Sequence, residues 1–361
     1  MSRMVGDAEP GVTYVVGSLI AGVFFGGLGG GVAFPTLPTL GPVLGISPFL
    51  VGLILSFNRF TRLVMNTPAG QILDTVGTRR PMIGGFFVQG MAPFGYILGL
   101  HADLVPLDSP TVFLLSRGAW GIGSAFVFVG AFTTITHVTT PDNRGKWVGY
   151  MRGGQSLGFP TGLVVGGLVT DAVGYSAAFF VAGCAGLFAA IVALLVLPDM
   201  QPDVTATSSL REVPRLVLAD VRIFSVGVVN FIVRFLFAGV LLSTVVLYAE
   251  AYGIRIGVLS GIGVSGVVMA ISVLGASITT LLVGRYSDQL SNRAALTLPA
   301  LGTLAVGFGI LALVPSLAMT ILGVTLIGIG VGGANPPLLA YLGDLSPADD
   351  VGKLGGVYNV F

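Results

Sequence analysis

GQILDTVGTRR (residues 70–80) is a short polar turn between two long apolar runs, and its parts return in GRYSDQLSNR (residues 284–293). The residues that recur, each 214 positions later, are Gly70, Asp74, Gly77 and Arg79, which correspond to Gly284, Asp288, Ser291 and Arg293. A polar turn that is duplicated at a fixed distance in an apolar chain indicates two membrane bundles built on one plan.

The composition around this turn is typical of a helical membrane protein. Hydrophobic residues make up 54% of the 361 residues and charged residues only 9%, whereas roughly a quarter of an average soluble domain is charged. The mean hydropathy is +0.94, and the 55 glycines suit closely packed membrane helices. A net charge of +1 without a large basic cluster argues against nucleic-acid binding. The single cysteine, Cys184, excludes a disulfide framework.

Apolar runs of about 20 residues, the length that crosses a bilayer, predict ten spans. We expect them at residues 13–37, 49–73, 81–100, 111–138, 147–170, 177–197, 223–248, 258–283, 294–314 and 317–341. The predicted fold is therefore all-α, with a six-helix bundle at residues 1–198, a connector at 199–222 and a second bundle at 223–361. Pro35 and Pro38 are expected to end the first span, because proline breaks helices.

The end of the chain repeats an earlier segment. DLSPADDVGKLGGVYNVF (residues 344–361) echoes TPDNRGKWVGYM (residues 140–151), which opens span five, at an offset of 207. We therefore expect the chain to stop early in an eleventh span. The second bundle would then be an incomplete counterpart of the first.

Basic residues in the loops predict the orientation. Ten Lys and Arg residues lie in or beside the even-numbered loops, while the odd-numbered loops hold only Arg255. Because cytosolic loops carry an excess of Lys and Arg, we expect a multi-pass plasma-membrane protein whose N-terminus and connector lie in the cytosol.

Together these motifs resemble the major facilitator superfamily (MFS) of secondary transporters, over the whole chain. The turn at residues 70–80 is similar to that family's signature loop between spans two and three. Span four carries RGAWGIGSA (residues 117–125), in which Arg117, Gly121 and Gly123 resemble the family's second motif.

Span five has glycines spaced like the family's antiporter motif, at Gly158, Gly162 and Gly166. That motif ends in Gly-Pro, whereas Leu163 follows Gly162 here and the proline stands at Pro160. The departure leaves the antiporter subclass open. The glycines are expected to serve close helix packing.

The resemblance implies transport by alternating access, with the duplicated turn as a cytosolic latch that closes on the start of span eleven. The implied latch residues are Gly70, Asp74, Gly77, Arg79, Arg80, Gly284, Asp288 and Arg293. The alternative is that the arginines only set the topology. The resemblance also implies coupling to H⁺ or another ion gradient and no bound cofactor.

Polar residues inside the predicted spans bear on the substrate. An arginine at the bilayer centre costs about 2.5–3.5 kcal/mol, so it should face water or a partner. The predicted cavity residues are Arg59, Arg62, Arg117, Arg152, Asn230, Arg234 and Asn335. No Asp or Glu lies in the middle of a span, which favours an anionic or carbonyl-rich solute held by guanidinium groups. Alternatively, these arginines bond to backbone carbonyls or snorkel to an interface.

We predict a transporter that exports a small organic solute. The alternatives are uptake or exchange of an organic anion by the same fold, and a sensor or scaffold that does not transport. No catalytic set lies in a span, so we do not expect an enzyme. The expected partners are the solute and the lipid bilayer, without nucleic acid, and the protein is expected to be a monomer. His101 and His137 lack ligand spacing, so no metal site is predicted.

Overall fold

The computed structural model describes residues 9–197, 220–287, 289 and 293–345. These residues form helices joined by short turns, which confirms the predicted all-α class. Backbone contacts divide the chain into two compact units, Met1–Thr205 and Ala206–Phe361. Most of the predicted connector lies outside the described residues, so its boundaries stay a prediction.

The first unit contains six long helices. They are α1 (Glu9–Leu44), α2 (Pro48–Val76), α3 (Arg79–Leu100), α4 (Ser109–Val138), α5 (Pro141–Val173) and α6 (Tyr175–Val196). Helix α1 packs against α5 and α6, α3 packs against α4 and α6, and α2 lies on α4. Buried side chains of α1, α3, α4 and α6 form one apolar core, which includes Val16, Leu19, Met82, Ala131 and Ala189. These helices match the six predicted spans.

The second unit contains four helices in its described part. They are α7 (Val221–Ala251), α8 (Gly261–Ser287), α9 (Thr297–Leu313) and α10 (Leu317–Leu345). Helix α10 packs against both α8 and α9. Among the described residues, nine helices are long and apolar enough to cross a membrane, and Thr297–Leu313 is a shorter apolar helix. The predicted eleventh span lies outside the described residues.

The prediction that prolines end the first span is wrong. Helix α1 continues through Pro35, Pro38 and Pro42 to Leu44. A proline removes one backbone donor, and membrane helices tolerate that loss where neighbouring helices and hydroxyl groups support the turn. Here α1 is largely enclosed by α5 and α6.

Helix α5 begins at Pro141, six residues before the predicted span. Thr140 and Asn143 form a capping box, in which the Thr140 N–H donates to Asn143 Oδ1 at 3.0 Å. Proline at the first helical position lacks a donor that would have no partner there. The polar first turn of α5 is therefore helical although it is not apolar.

Candidate functional site

The signature turn joins the end of α2 to the start of α3. Gly77 has φ +84°, a left-handed conformation that favours glycine, and its N–H donates to the carbonyl of Leu73 at 3.0 Å. Asp74 is half-buried in the last turn of α2 and forms no hydrogen bond or ion pair with another described residue. Its role as a latch stays a prediction.

The structure does not place Gly70 at a close helix contact within the first unit. A Cβ added there would meet only Val129 Cγ1, at 4.0 Å, which is ordinary van der Waals contact. The neighbouring helix already leaves room at this position. Its repeat, Gly284 in α8, is similar, since an added Cβ would meet only Pro336 Cβ at 3.9 Å.

The two arginines of the turn differ in their surroundings. Arg79 Nη2 donates to the carbonyl of Leu194, in the last turn of α6, at 3.0 Å, whereas Arg80 is exposed. A cation at a helix C-terminus meets carbonyls that have no partner within the helix. Arg79 therefore ties the start of α3 to the end of α6. In the repeat, Arg293 begins a short 3₁₀ helix (Arg293–Leu296), and Asp288 and Ser291 lie outside the described residues.

Arg117 is the most enclosed charged residue in the described part of the first unit, with 1% of its surface exposed. Its Nη2 donates to Asn58 Oδ1 at 3.1 Å and to the carbonyl of Leu55 at 3.2 Å. Its Nε donates to the carbonyl of Ile54 at 3.4 Å, and its Nη1 donates to the Tyr96 hydroxyl at 3.5 Å. The guanidinium thus holds α4 to α2 and α3 through neutral oxygens, the structural alternative of the sequence analysis. Contact with a solute stays a prediction.

Helix α2 carries two further arginines of the predicted cavity, Arg59 and Arg62. Arg59 lies over the ring of Phe34 in α1, 5.8 Å from the centroid, and Arg62 lies over the ring of Phe128 in α4, at 5.4 Å. Arg59 is exposed and Arg62 is half-buried. Guanidinium groups beside aromatic rings suit a planar organic anion, because each can form a forked hydrogen-bond pair with a carboxylate.

Helix α7 holds the predicted pair Asn230 and Arg234. Arg234 Nε donates to the fully buried Asn230 Oδ1 at 3.1 Å, while most of Arg234 is exposed. The structure places this pair on one helix, a single turn apart. Asn335 is half-buried in α10, and Arg152 is exposed on α5.

A π-helical segment, Phe235–Leu241, follows Arg234 directly. No pattern in the sequence predicted this segment. Before the segment the buried positions are 223, 226, 230 and 233, and after it they are 241, 242, 245, 246 and 249. An α-helix would place the next buried positions of the first series at about 237, 240 and 244. The segment therefore adds one residue and keeps both buried faces on one side of α7.

The motif glycines in span four lie at close helix contacts. A Cβ added at Gly121 would meet the backbone of Asn58 in α2, and one added at Gly123 would meet the carbonyl of Gly85 in α3. Glycine is therefore required for these helices to approach so closely.

The three glycines of span five form a regular ladder against α1. An added Cβ would meet the backbone of the α1 residue 134 positions earlier, which is Phe24 for Gly158, Leu28 for Gly162 and Val32 for Gly166. A constant separation means that α1 and α5 run in parallel and in register.

A polar contact marks the start of α7. Asp220 Oδ1 accepts a hydrogen bond from the backbone N–H of Arg222 at 2.8 Å, and Asp220 Oδ2 pairs with Arg222 Nη2 at 2.8 Å. The hydrogen bonds from Arg222 lower the pKa of the Asp220 carboxyl below its ordinary value. The sequence analysis did not single out this cap.

The sequence of the chain matches the family model of the Major Facilitator Superfamily over residues 19–361. The chain belongs to the Major Facilitator Superfamily. The resemblance of the chain to this superfamily is thereby confirmed, and the chain is a multi-pass membrane protein of this transporter family.

Curated relatives of this MFS chain include resistance proteins. Multidrug resistance protein 1 of Bacillus subtilis (strain 168) is 29% identical over 187 residues, which are 51% of this chain and 46% of that protein. Quinolone resistance protein NorA of Staphylococcus aureus is 24% identical over 50% of this chain and 44% of that protein. The chain thus covers less than half the length of each of these relatives.

Solved MFS structures share the fold. A bacterial homologue of the human lysosomal transporter Spinster, in an inward-facing and occupied conformation, has a TM-score of 0.77 and 16% identity, over 98% of this chain and 78% of that one. The nucleoside transporter NupG has a TM-score of 0.76 and 12% identity, over 96% and 87%. At these identities the likeness concerns the fold alone.

Sequence reasoning missed the partners of Arg117 in this MFS chain. Tyr96 in α3, which no sequence pattern indicated, is 1% exposed, stacks on Phe113 and meets Phe179 edge to face. Its spacing from Arg117 carries no signal along the chain, because the two residues meet only when α3 and α4 pair. A tyrosine in a largely apolar span was the available hint.

Proposed function

We propose that the chain acts as a secondary transporter that exports small organic solutes by alternating access. The observation that carries this proposal is the family match over residues 19–361. Relatives that are named for multidrug and quinolone resistance support small organic molecules as substrates and export as the direction. The predicted latch at Asp74 supplies a polar switch at one end of the first unit.

Uptake or exchange of an organic anion is the second candidate. It is favoured by Arg59 and Arg62, whose guanidinium groups lie beside aromatic rings on α2. In the described spans the acidic residues lie near helix ends, as with Asp171 in α5 and Glu250 in α7. A solute carboxylate would therefore meet cations without a competing mid-span acid.

Coupling to a proton gradient is part of the proposal and rests on the family resemblance. A mid-span carboxylate would be the natural proton carrier, and the spans hold none. Exchange of one solute for another is the alternative that needs no such group. Flux measured with and without an imposed pH gradient separates the two.

Reconstitution of the intact chain in proteoliposomes tests transport and substrate class together. Three probes cover the candidates: ethidium as a lipophilic cation, norfloxacin as a quinolone and radiolabelled benzoate as an aromatic anion. We expect flux of at least one probe, and benzoate flux favours the anion alternative. Folded protein that moves none of the three, with or without a gradient, would favour a sensor or scaffold.

The latch has its own matched test. Asp74→Asn removes the charge of the predicted latch, and Asp103→Asn removes an exposed charge from the short 3₁₀ helix Ala102–Leu104. We expect Asp74→Asn to abolish flux while probe binding persists, and Asp103→Asn to transport normally. Equal flux in both variants would contradict the latch.

We also propose that the protein is a monomer in the plasma membrane and that its N-terminus lies in the cytosol. It rests on the ten basic residues in or beside the even-numbered loops. An epitope tag before Met1 should resist protease added outside intact cells and become sensitive after permeabilisation. A tag that is cleaved on intact cells would reverse the orientation.

A further inference from the structure

Two fully enclosed polar side chains of the first unit have no hydrogen-bond partner. Gln89 in α3 is 3% exposed and Ser124 in α4 is 0% exposed. Neither Gln89 Oε1 nor Ser124 Oγ contacts a donor or acceptor. A buried polar group without a partner costs about 1–3 kcal/mol, and such groups in native proteins are nearly always satisfied by protein or water.

The antiparallel register of α3 and α4 brings these two side chains to one level. Tyr96 in α3 contacts Arg117 in α4. Seven residues back along α3 from Tyr96 is Gln89, and seven residues forward along α4 from Arg117 is Ser124. Seven residues are close to two helical turns, about 10 Å, so the same two faces meet again at that depth.

Backbone contacts support this register independently. A Cβ added at Gly123 would lie 3.1 Å from both the backbone nitrogen and Cγ of Gln89. Gln89 is therefore level with Gly123 and its neighbour Ser124. On the third side lies Gly26 of α1, where an added Cβ would be 3.1 Å from Gln89 Oε1. Gln89 Oε1 and this glycine therefore meet between α3 and α1, at the level of Ser124 in α4.

The Ser124 hydroxyl makes no bond within its own helix. Several buried hydroxyls donate to a carbonyl one turn earlier, as in Ser116 to Val112 at 2.8 Å and Thr36 to Val32 at 2.8 Å, whereas those of Ser124, Thr170, Ser272, Ser287, Thr297 and Thr320 have no partner among the described residues. A hydroxyl that can be satisfied by its own helix is left free only at a cost. The Ser124 hydroxyl is thus available to a partner outside α4.

We propose that Gln89 and Ser124 bind one internal water molecule, which joins α3 to α4 beside Gly26. Two groups at hydrogen-bonding distance from a shared water stand about 4.5–5.5 Å apart, too far for a direct bond. An enclosed site lined by polar groups holds water, whereas an enclosed apolar cavity stays dry. The water site does not depend on transport, so its test is independent of the test of the proposed function.

Whether substitutions at Gln89 and Ser124 raise or lower the thermal midpoint tests the proposed water site. With the water in place, Ser124→Ala and Gln89→Leu each leave the other group unsatisfied and should lower the thermal midpoint of the purified full chain by about 2–4 °C. The double variant removes both groups and should recover part of that loss, because replacing both partners is nearly neutral. If the site were dry, each single substitution would remove an unsatisfied group and raise the midpoint.

Ser272 provides the matched control. It is also 0% exposed, lies in membrane helix α8 and has a hydroxyl without a partner, and the residue packed against its backbone is Gly328, which has no side chain to bond it. Ser272→Ala should leave the midpoint unchanged or raise it. A density map at about 2.5 Å or better should show the water between Gln89 and Ser124. A rise in midpoint for Ser124→Ala, or a map without that density, would overturn the proposal.

Discussion

Arg117 Nη2 lies 3.1 Å from Asn58 Oδ1, and this hydrogen bond joins α4 to α2 inside the first unit. The same guanidinium also bonds to carbonyls of α2. Arg117→Lys keeps the charge but loses the fork, so the variant should lose most of these bonds. In a double-mutant cycle with Asn58→Ala, we expect a coupling free energy of about 0.6 kcal/mol, the average measured between membrane helices, and at most about 1.7 kcal/mol.

The same variants separate packing from solute recognition. If Arg117→Lys lowers the thermal midpoint and leaves probe affinity unchanged, Arg117 serves only the contact between helices. If benzoate affinity falls well beyond the loss of stability, Arg117 binds solute in the predicted cavity. Arg59→Gln is the comparison, because Arg59 is exposed beside Phe34 and should affect affinity more than stability.

The glycine ladder between α1 and α5 predicts a sharp contrast within one helix. Gly162→Ala would push a methyl group into the backbone at Leu28, whereas Gly153→Ala meets nothing within 4 Å. Overpacking costs about 1–3 kcal/mol. Gly162→Ala should therefore lower the thermal midpoint by several degrees, and Gly153→Ala should not. Equal midpoints would show that α5 shifts away from α1 at no cost.

Arg79 and Arg80 form a second natural pair. Arg79→Gln removes the hydrogen bond to the Leu194 carbonyl at the end of α6, while Arg80→Gln removes an exposed charge. We expect a loss of about 1 kcal/mol in the free energy of unfolding for Arg79→Gln and a negligible change for Arg80→Gln. Chemical denaturation of the two purified variants measures both. A similar loss in both would mean that the arginines act only through membrane topology.

Much of the fold followed from hydropathy and the repeat, because a bilayer forces each apolar run of sufficient length into a helix. The predictions that failed concern helix ends, where rules for local sequence were applied to helices that neighbouring helices or caps stabilise. Pro35 and Pro38 do not end α1, since packing by α5 and α6 maintains the helix through them. The polar start of α5 is helical because of its Thr140 cap, which hydropathy does not register.

The candidate site was less predictable than the fold. The sequence identified Arg117 as a buried cation, but its partners come from two other helices. Gln89 and Ser124 are 35 positions apart, and only the register of α3 against α4 makes them neighbours. Contacts of this kind depend on helix rotation, which a single sequence does not specify.

The extra residue in the π segment of α7 predicts that deletion of one residue is tolerated in this segment and not in an uninterrupted membrane helix. Removing Gly239 from the π segment Phe235–Leu241 shortens it to the length that continuous α-helix requires. Both buried faces then stay on one side, so the variant should unfold cooperatively within a few degrees of the parent.

Deleting Val273 from α8 is the control, because Gly261–Ser287 is uninterrupted α-helix. That deletion turns everything beyond it by about 100° and carries buried side chains away from α10. Such a loss is large against the marginal stability of a folded chain, so cooperative unfolding should disappear. If the Gly239 deletion is equally damaging, the π segment supplies more than register. The hydroxyl of Thr244, which donates to the carbonyl of Val240 at 2.7 Å, would then be the first contact to test, since it supports the wide turn directly.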